Sequence, residues 1–138
     1  MATGQATGSV MSADAISHEI IKAALKIHSA LGPGLLESAY RGCLAYELRK
    51  AGLKVETELL LPVVYDCVKL DFGYRIDLLV NDLVIVELKS VEKISNVHLA
   101  QTLSYMRLSK KQLAWIINFN VLHLKDAIRR LVEGSGWK

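Results

Sequence analysis

The chain has 138 residues, 51% of them apolar, which places it in the size range of one domain with its own hydrophobic core. Its formal charge of +3 and pI near 8.9 lean towards a polyanionic partner without establishing one. No apolar run approaches the roughly 18 residues needed to span a bilayer, no signal-peptide pattern opens the chain, and Cys43 and Cys67 show neither CxxC spacing nor a histidine pair nearby. These features argue against a membrane span, a zinc knuckle and a dithiol redox motif, and they predict a cytoplasmic protein with both thiols reduced and mostly buried.

Residues 1–13, rich in Gly, Ala, Ser, Thr and Gln, read as a mobile tail, and 14–138 as the single domain. Ile16, Ile20, Ala23, Ala24, Ile27 and Leu31 recur at helical spacing, with Ser12 or Asp14 as cap and Gly32-Pro33-Gly34 as the stop. Helical periodicity resumes with Leu35, Leu36, Tyr40, Leu44 and Leu48 and ends at Gly52, so a second helix starts where Glu37 sits. Val55 to Tyr65, Lys69 to Val80 and Leu83 to Ser90 read as three strands in a meander. A helix is predicted from Ile94 to about Ser109, with Val97, Ala100, Leu103 and Met106 along its apolar stripe. Leu113 to Phe119 reads as a strand buried on both faces, and His123 to Val132 as a last helix.

The chemistry is concentrated in the two middle strands, Tyr74-Arg75-Ile76-Asp77-Leu78-Leu79-Val80 and Val84-Ile85-Val86-Glu87-Leu88-Lys89. Alternation puts Arg75 and Asp77 on one face of the first and Glu87 and Lys89 on one face of the second. A three-residue loop, Asn81-Asp82-Leu83, pairs Val80 with Val84, which sets Asp77 across from Glu87 and Arg75 across from Lys89. A two-residue loop sends the two carboxylates to opposite faces. In the odd register the carboxylates have Cβ atoms roughly 4.5–5.5 Å apart, a like-charge pair that needs neutralising. Mg²⁺ or Mn²⁺ does so with one or two protein carboxylates, and the carbonyl of Leu88 offers a further oxygen. Lys89 can reach a phosphate oxygen whose charge grows in a transition state. The alternative is an ordinary ion-pair cluster, Asp77 with Lys89 and Arg75 with Glu87, on a solvated sheet face; strand patterning does not separate the two.

His98, Gln101 and Tyr105 at i, i+3 and i+7 form a polar stripe that can face a ligand together, and Glu37 and Tyr40 share a face of the second helix. Alone, Glu37 reads as a capping or surface carboxylate. His18, His28 and His123 have no ligand-pair spacing and receive no metal. Basic residues cluster at Arg49, Lys50 and Lys54, at Arg107, Lys110 and Lys111, and at Arg129 and Arg130, and would hold a phosphate backbone if they flank the carboxylates.

The run Gly34-Leu35-Leu36-Glu37-Ser38-Ala39-Tyr40 resembles the signature of the bacterial GxxExxY family. The likeness continues from about Ile16 to Val132, through Tyr74 to Asp77, Val86 to Lys89, His98 to Tyr105 and Ile117-Asn118-Phe119. That family is regarded as a branch of the PD-(D/E)xK nuclease superfamily. The resemblance implies an α/β, restriction-endonuclease-like core of order αβββαβ, here with an extra N-terminal helix and a C-terminal helix. It matches Asp77 to the first acidic motif, Glu87 and Lys89 to ExK, Glu37 to the acidic residue of the first core helix, and Gln101 with Tyr105 to a QxxxY helix motif. Ile76 stands where the superfamily name has proline, which the superfamily commonly drops.

Together these give an expected Mg²⁺- or Mn²⁺-dependent nuclease, acting on DNA ahead of RNA. Asp77, Glu87, Leu88 and Glu37 are expected at the metal, and Lys89, Gln101 and Tyr105 at the reacting phosphate. The rival is a non-catalytic nucleic-acid-binding or dimeric domain that keeps the fold; a homodimer is compatible with either. An enzyme of small molecules built on Glu37 and Tyr40 lacks any Gly-rich phosphate cradle.

Overall fold

The computed structural model describes residues 10–134, with the backbone alone at positions 71 and 72. Most of the expected tail, residues 1–9, lies outside the described residues, but the end of it belongs to the fold. Met11 packs against the core, and the Ser12 hydroxyl caps helix α1 (Ala13–Leu31) by accepting the Ala15 N–H at 3.1 Å. Gly32 and Gly34 then take positive φ angles of 70° and 100°, the turn conformation that glycine adopts without a Cβ penalty. Helix α2 (Glu37–Lys50) follows at the position read from the sequence.

One mixed sheet of five strands, neighbours in the sheet in the same order as in the sequence, forms the centre. Strands β1 (Val55–Tyr65), β2 (Val68–Val80) and β3 (Val84–Lys89) form the expected antiparallel meander, and helix α3 (Asn96–Ser109) carries the chain over to β4 (Leu113–Asn118), parallel to β3. The αβββαβ core is therefore present. Leu113 to Phe119 does lie in the sheet interior, because a fifth strand covers its outer edge. That fifth strand corrects the predicted C-terminal helix: Leu124–Ala127 is one 3₁₀ turn, and Ile128–Val132 is strand β5, antiparallel to β4. Pairing β5 with β4 satisfies a row of backbone groups that a short surface helix would leave open.

Two apolar clusters sandwich the sheet. Ile16, Ile20, Tyr40, Leu44 and Leu48 of α1 and α2 pack on Leu78, Val80, Val86, Leu88 and Ile117. On the other face, Leu103 and Met106 of α3 pack on Leu61, Ile76, Leu79, Ile85 and Ala114. The apolar stripe of α3 is narrower than expected: Val97 is 73% exposed, and the buried residues are Thr102, Leu103, Tyr105 and Met106.

The β1–β2 pair is irregular at two points. Strict alternation would put Ile76 on the side of Leu78, yet Ile76 packs on the opposite face with Leu79. The reset falls between the pairs Thr57↔Leu78 and Leu59↔Ile76, at Glu58 and Asp77, where Glu58 has φ 52°. Further out the register shifts beside Pro62, and a Cβ on Gly73 would collide with the Leu61 carbonyl oxygen, so only glycine allows that approach. The hairpin closes on Asp66 and Cys67, both at positive φ, which leaves Cys67 exposed rather than buried; Cys43 is half-buried.

Candidate active site

The β2–β3 loop takes the odd register. Asn81 and Asp82 have φ of 51° and 57°, Leu83 N–H closes the turn on the Val80 carbonyl at 3.0 Å, and Val80 pairs with Val84. Asn81 is held from outside as well, its Oδ1 accepting the Lys54 N–H at 2.8 Å. Two steps along, the regular ladder stops at Leu78↔Val86, one position short of Asp77 and Glu87. There the side chains replace the ladder: Glu87 Oε2 accepts the Asp77 N–H at 2.9 Å, and Asp77 Oδ2 accepts the Leu88 N–H at 2.8 Å. The strands part with each carboxylate fixed to the opposite backbone.

An open cavity of about 310 Å³ lies at this parting, lined by Glu37, Gly73, Tyr74, Arg75, Asp77, Glu87, Lys89, Gln101 and Tyr105. All six side chains singled out for chemistry therefore meet in one place. Glu37 arrives from the first turn of α2, where its Oε2 lies 3.4 Å from the Ser90 N–H just beyond Lys89. Ser90 Oγ in turn donates to the Leu35 carbonyl at 2.7 Å, which joins the end of β3 to the turn before α2. Tyr40 is not a site residue: fully buried and stacked on Phe119 at 4.2 Å, its hydroxyl donates to the Gly32 carbonyl at 2.6 Å and accepts the Leu35 N–H at 3.2 Å. The glycine, glutamate and tyrosine of the GxxExxY run thus serve one turn, which presents Glu37.

From α3, Gln101 and Tyr105 face the cavity, with the Tyr105 ring 5.2 Å from that of Tyr74. His98 does not join them. It closes a capping box with Ser95, its Nδ1 accepting the Ser95 N–H at 3.0 Å. Asn118, buried at the end of β4, holds the loop after Lys89: Oδ1 accepts the Val91 N–H at 3.1 Å and Nδ2 donates to the Val91 carbonyl at 2.9 Å.

The cross-pairing that the ion-pair alternative requires is replaced by another. Asp77 faces Arg41 at 3.6 Å and Arg75 faces Glu58 at 3.4 Å, while Lys89 has no carboxylate within 4.0 Å among the described residues. Arg41 is the residue missed in the sequence; it lies four positions after Glu37 on the same helical face, a spacing that could have drawn attention to it. The basic clusters do not flank the cavity as expected. Arg49 donates to the Val55 carbonyl, Lys50 pairs with Glu47 and Lys54 pairs with Asp82. Arg107, Lys110 and Lys111 line a separate hollow, and Arg129 and Arg130 are exposed on β5.

Burial and mutual repulsion dominate the electrostatics. Glu87 is only 3% exposed, and burial, then the Asp77 charge, pushes its carboxyl up to about 8. Burial also raises Asp77, offset in part by the Leu88 N–H and Arg41. Tyr105 is pushed up to about 12, first by burial and then by the Glu87 and Asp77 charges. Among the described residues no three Asp, Glu, His or Cys side chains close on one point, so Glu37 does not complete a three-carboxylate cage. Two carboxylates do converge, and Glu87 Oε1 accepts no hydrogen bond from any described residue. A buried carboxylate oxygen without a donor, beside a second carboxylate at an open cavity, fits a hard divalent ion that fills its remaining positions with water and phosphate oxygens.

The fold and the parting hairpin define an α/β domain whose charged groups converge where β2 and β3 separate. A family model described as PD-(D/E)XK nuclease superfamily matches residues 14–131, and the chain belongs to that superfamily. No curated protein and no solved structure matches it. Among the described residues no helix is long and apolar enough to cross a membrane.

Proposed function

We propose that this protein is a phosphodiesterase of the GxxExxY branch that uses Mg²⁺ or Mn²⁺ to cleave nucleic acid, DNA ahead of RNA. The observation that carries the reading is the Oε1 of buried Glu87, next to Asp77 and without a donor among the described residues. Asp77 and Glu87 would hold the ion. The Leu88 carbonyl is a fitting third oxygen, since N–H and C=O of one strand residue point to the same edge and the Leu88 N–H already meets Asp77. A divalent ion held there supplies Lewis acidity to a phosphate oxygen and to water.

The chain's own groups do the remaining work. Lys89, free of carboxylate partners within 4.0 Å among the described residues, places its ammonium against the phosphate oxygens that gain charge. Gln101, whose side chain makes no hydrogen bond to a described residue, orients the attacking water, and the Tyr105 hydroxyl, kept protonated by its raised pKa, donates to the phosphate. Glu37 acts through water from the α2 side. Preference for DNA follows superfamily habit alone.

The test is cleavage of single-stranded, duplex and branched DNA and of RNA in Mn²⁺ and Mg²⁺, with Glu87→Ala and Lys89→Ala in parallel. Wild-type cleavage lost in both variants, with Lys89→Ala keeping metal-induced thermal stabilisation, is the expected result. Silence of the wild type on every substrate in both metals refutes the catalytic reading and favours a binding domain.

A further inference from the structure

Beside the carboxylates sits a second charged cluster that the proposed reaction does not use. Glu58 Oε1 receives two guanidinium groups, Arg41 Nη2 at 3.1 Å and Arg75 Nη1 at 3.4 Å. The other terminal nitrogen of Arg41 lies 3.6 Å from Asp77 Oδ1. Because both arginines meet one oxygen atom, their cationic heads lie side by side, and a chain of contacts runs from Asp77 outward to Arg75. Arg41 is largely covered, whereas Arg75 is 60% exposed and lines the cavity.

Stability alone does not account for this arrangement. Arg41 already has Asp77 at 3.6 Å and Glu58 at 3.1 Å, whereas the solvent-exposed Arg75 meets Glu58 alone, and an ion pair that exposed adds little to stability. Glu58 also holds φ 52° inside a strand, a conformation that non-glycine residues rarely adopt and that re-aims a side chain where it occurs. The strained residue is the one that gathers the two arginines at the edge of the cavity.

We propose that Arg75 and Arg41, gathered by Glu58, form a binding site for a phosphodiester group of the substrate strand, next to the group held at Asp77 and Glu87. The proposal rests on the nuclease reading above and extends it to how the strand is held. Guanidinium forks match phosphate oxygens two at a time, and two adjacent forks enclose one phosphate. Arg75 makes the contact from the exposed side, and Arg41 keeps the pair aligned with the carboxylates. Without a strand, Glu58 keeps the two cations from repelling each other.

The experiment measures binding of a fluorescein-labelled DNA oligonucleotide, single-stranded and duplex, to the full chain by anisotropy across a KCl series. Ca²⁺ is present, since it takes the same class of oxygen ligands. Arg75→Ala is expected to weaken binding roughly tenfold and to reduce the slope of log affinity against log salt by about 1, as loss of one phosphate contact does. Arg75→Lys should recover part of the affinity with the wild-type slope, and Mn²⁺-induced thermal shifts should be the same in all three proteins. A purely structural Arg75 would not move the salt slope. Wild-type affinity and slope in Arg75→Ala overturn the clamp while leaving wild-type cleavage, and with it the nuclease reading, in place. A wild type that neither binds nor cleaves overturns both.

Discussion

In metal-free protein the buried Glu87 carboxyl makes stability fall as pH rises. Its pKa is about 8 in the folded protein against 4.5 for the free group, so between those values the unfolded chain has lost a proton that the folded chain keeps. The folded state then binds more protons, and unfolding free energy declines with pH by up to about 1.4 kcal/mol per unit. The contribution is complete below the unfolded pKa and exhausted above the folded one; Asp77, also raised, acts in the same direction. From about pH 5 to pH 8 the ceiling for Glu87 alone is about 4 kcal/mol, a large share of the 5–15 kcal/mol that holds a typical domain folded. Urea unfolding in EDTA across that range measures the slope. Glu87→Gln should flatten it while keeping an amide oxygen for the Asp77 N–H. Millimolar Mn²⁺ should restore stability by about 2.7 kcal/mol at a hundredfold excess over its Kd, and more at the alkaline end, where fewer protons must leave. A flat wild-type profile, or an undiminished slope in Glu87→Gln, refutes the assignment of buried, mutually repelling carboxylates.

Tyr40→Phe leaves the Gly32 carbonyl and the Leu35 N–H without their partner; it should cost about 1–3 kcal/mol by chemical denaturation and lower cleavage through displacement of Glu37. Asn118→Ala removes both hydrogen bonds to Val91, and faster amide exchange at Val91 together with a loss of about 1–3 kcal/mol is the expected result.

The elements that local periodicity writes strongly were legible: α1, α2 and the meander follow from spacing and turn residues, whereas the β2–β3 register stayed open between a two- and a three-residue loop until the Val80↔Val84 pair decided it. The C-terminal segment was not legible. Leu124, Ala127 and Leu131 fall at spacing compatible with a helix, but local spacing does not show that β4, the strand just before this segment, has an open edge, and pairing with that edge decides the outcome for Ile128–Val132. His98 shared a stripe with Gln101 and Tyr105, and its ring was claimed by the adjacent Ser95 cap. Nothing in a run of strand-forming residues announces that Glu58 takes a left-handed conformation, so the change of face at Asp77, and with it the Arg41 and Arg75 contacts, could not be read from alternation.

Fold and site are here the same feature, which decides which variants are informative. Asp77 and Glu87 each supply a hydrogen bond that the sheet ladder would otherwise make, so truncating Asp77 to Ala strands the Leu88 N–H as well as removing an oxygen proposed for the metal. Such a protein can lose cleavage by loosening β2 from β3, and loss of activity in it does not separate chemistry from folding. Asp77→Asn keeps an oxygen for that N–H and removes only the charge. Lys89 separates the two more sharply: it has no carboxylate within 4.0 Å among the described residues and lies at the end of its strand, so its truncation removes a cation from the cavity and breaks no hydrogen bond seen there. If Lys89→Ala unfolds at the wild-type temperature, takes up Mn²⁺ with the wild-type shift and still fails to cleave, the lysine acts on the substrate, because those two controls rule out an effect through the sheet or through the carboxyls of Asp77 and Glu87, whose protonation its charge disfavours.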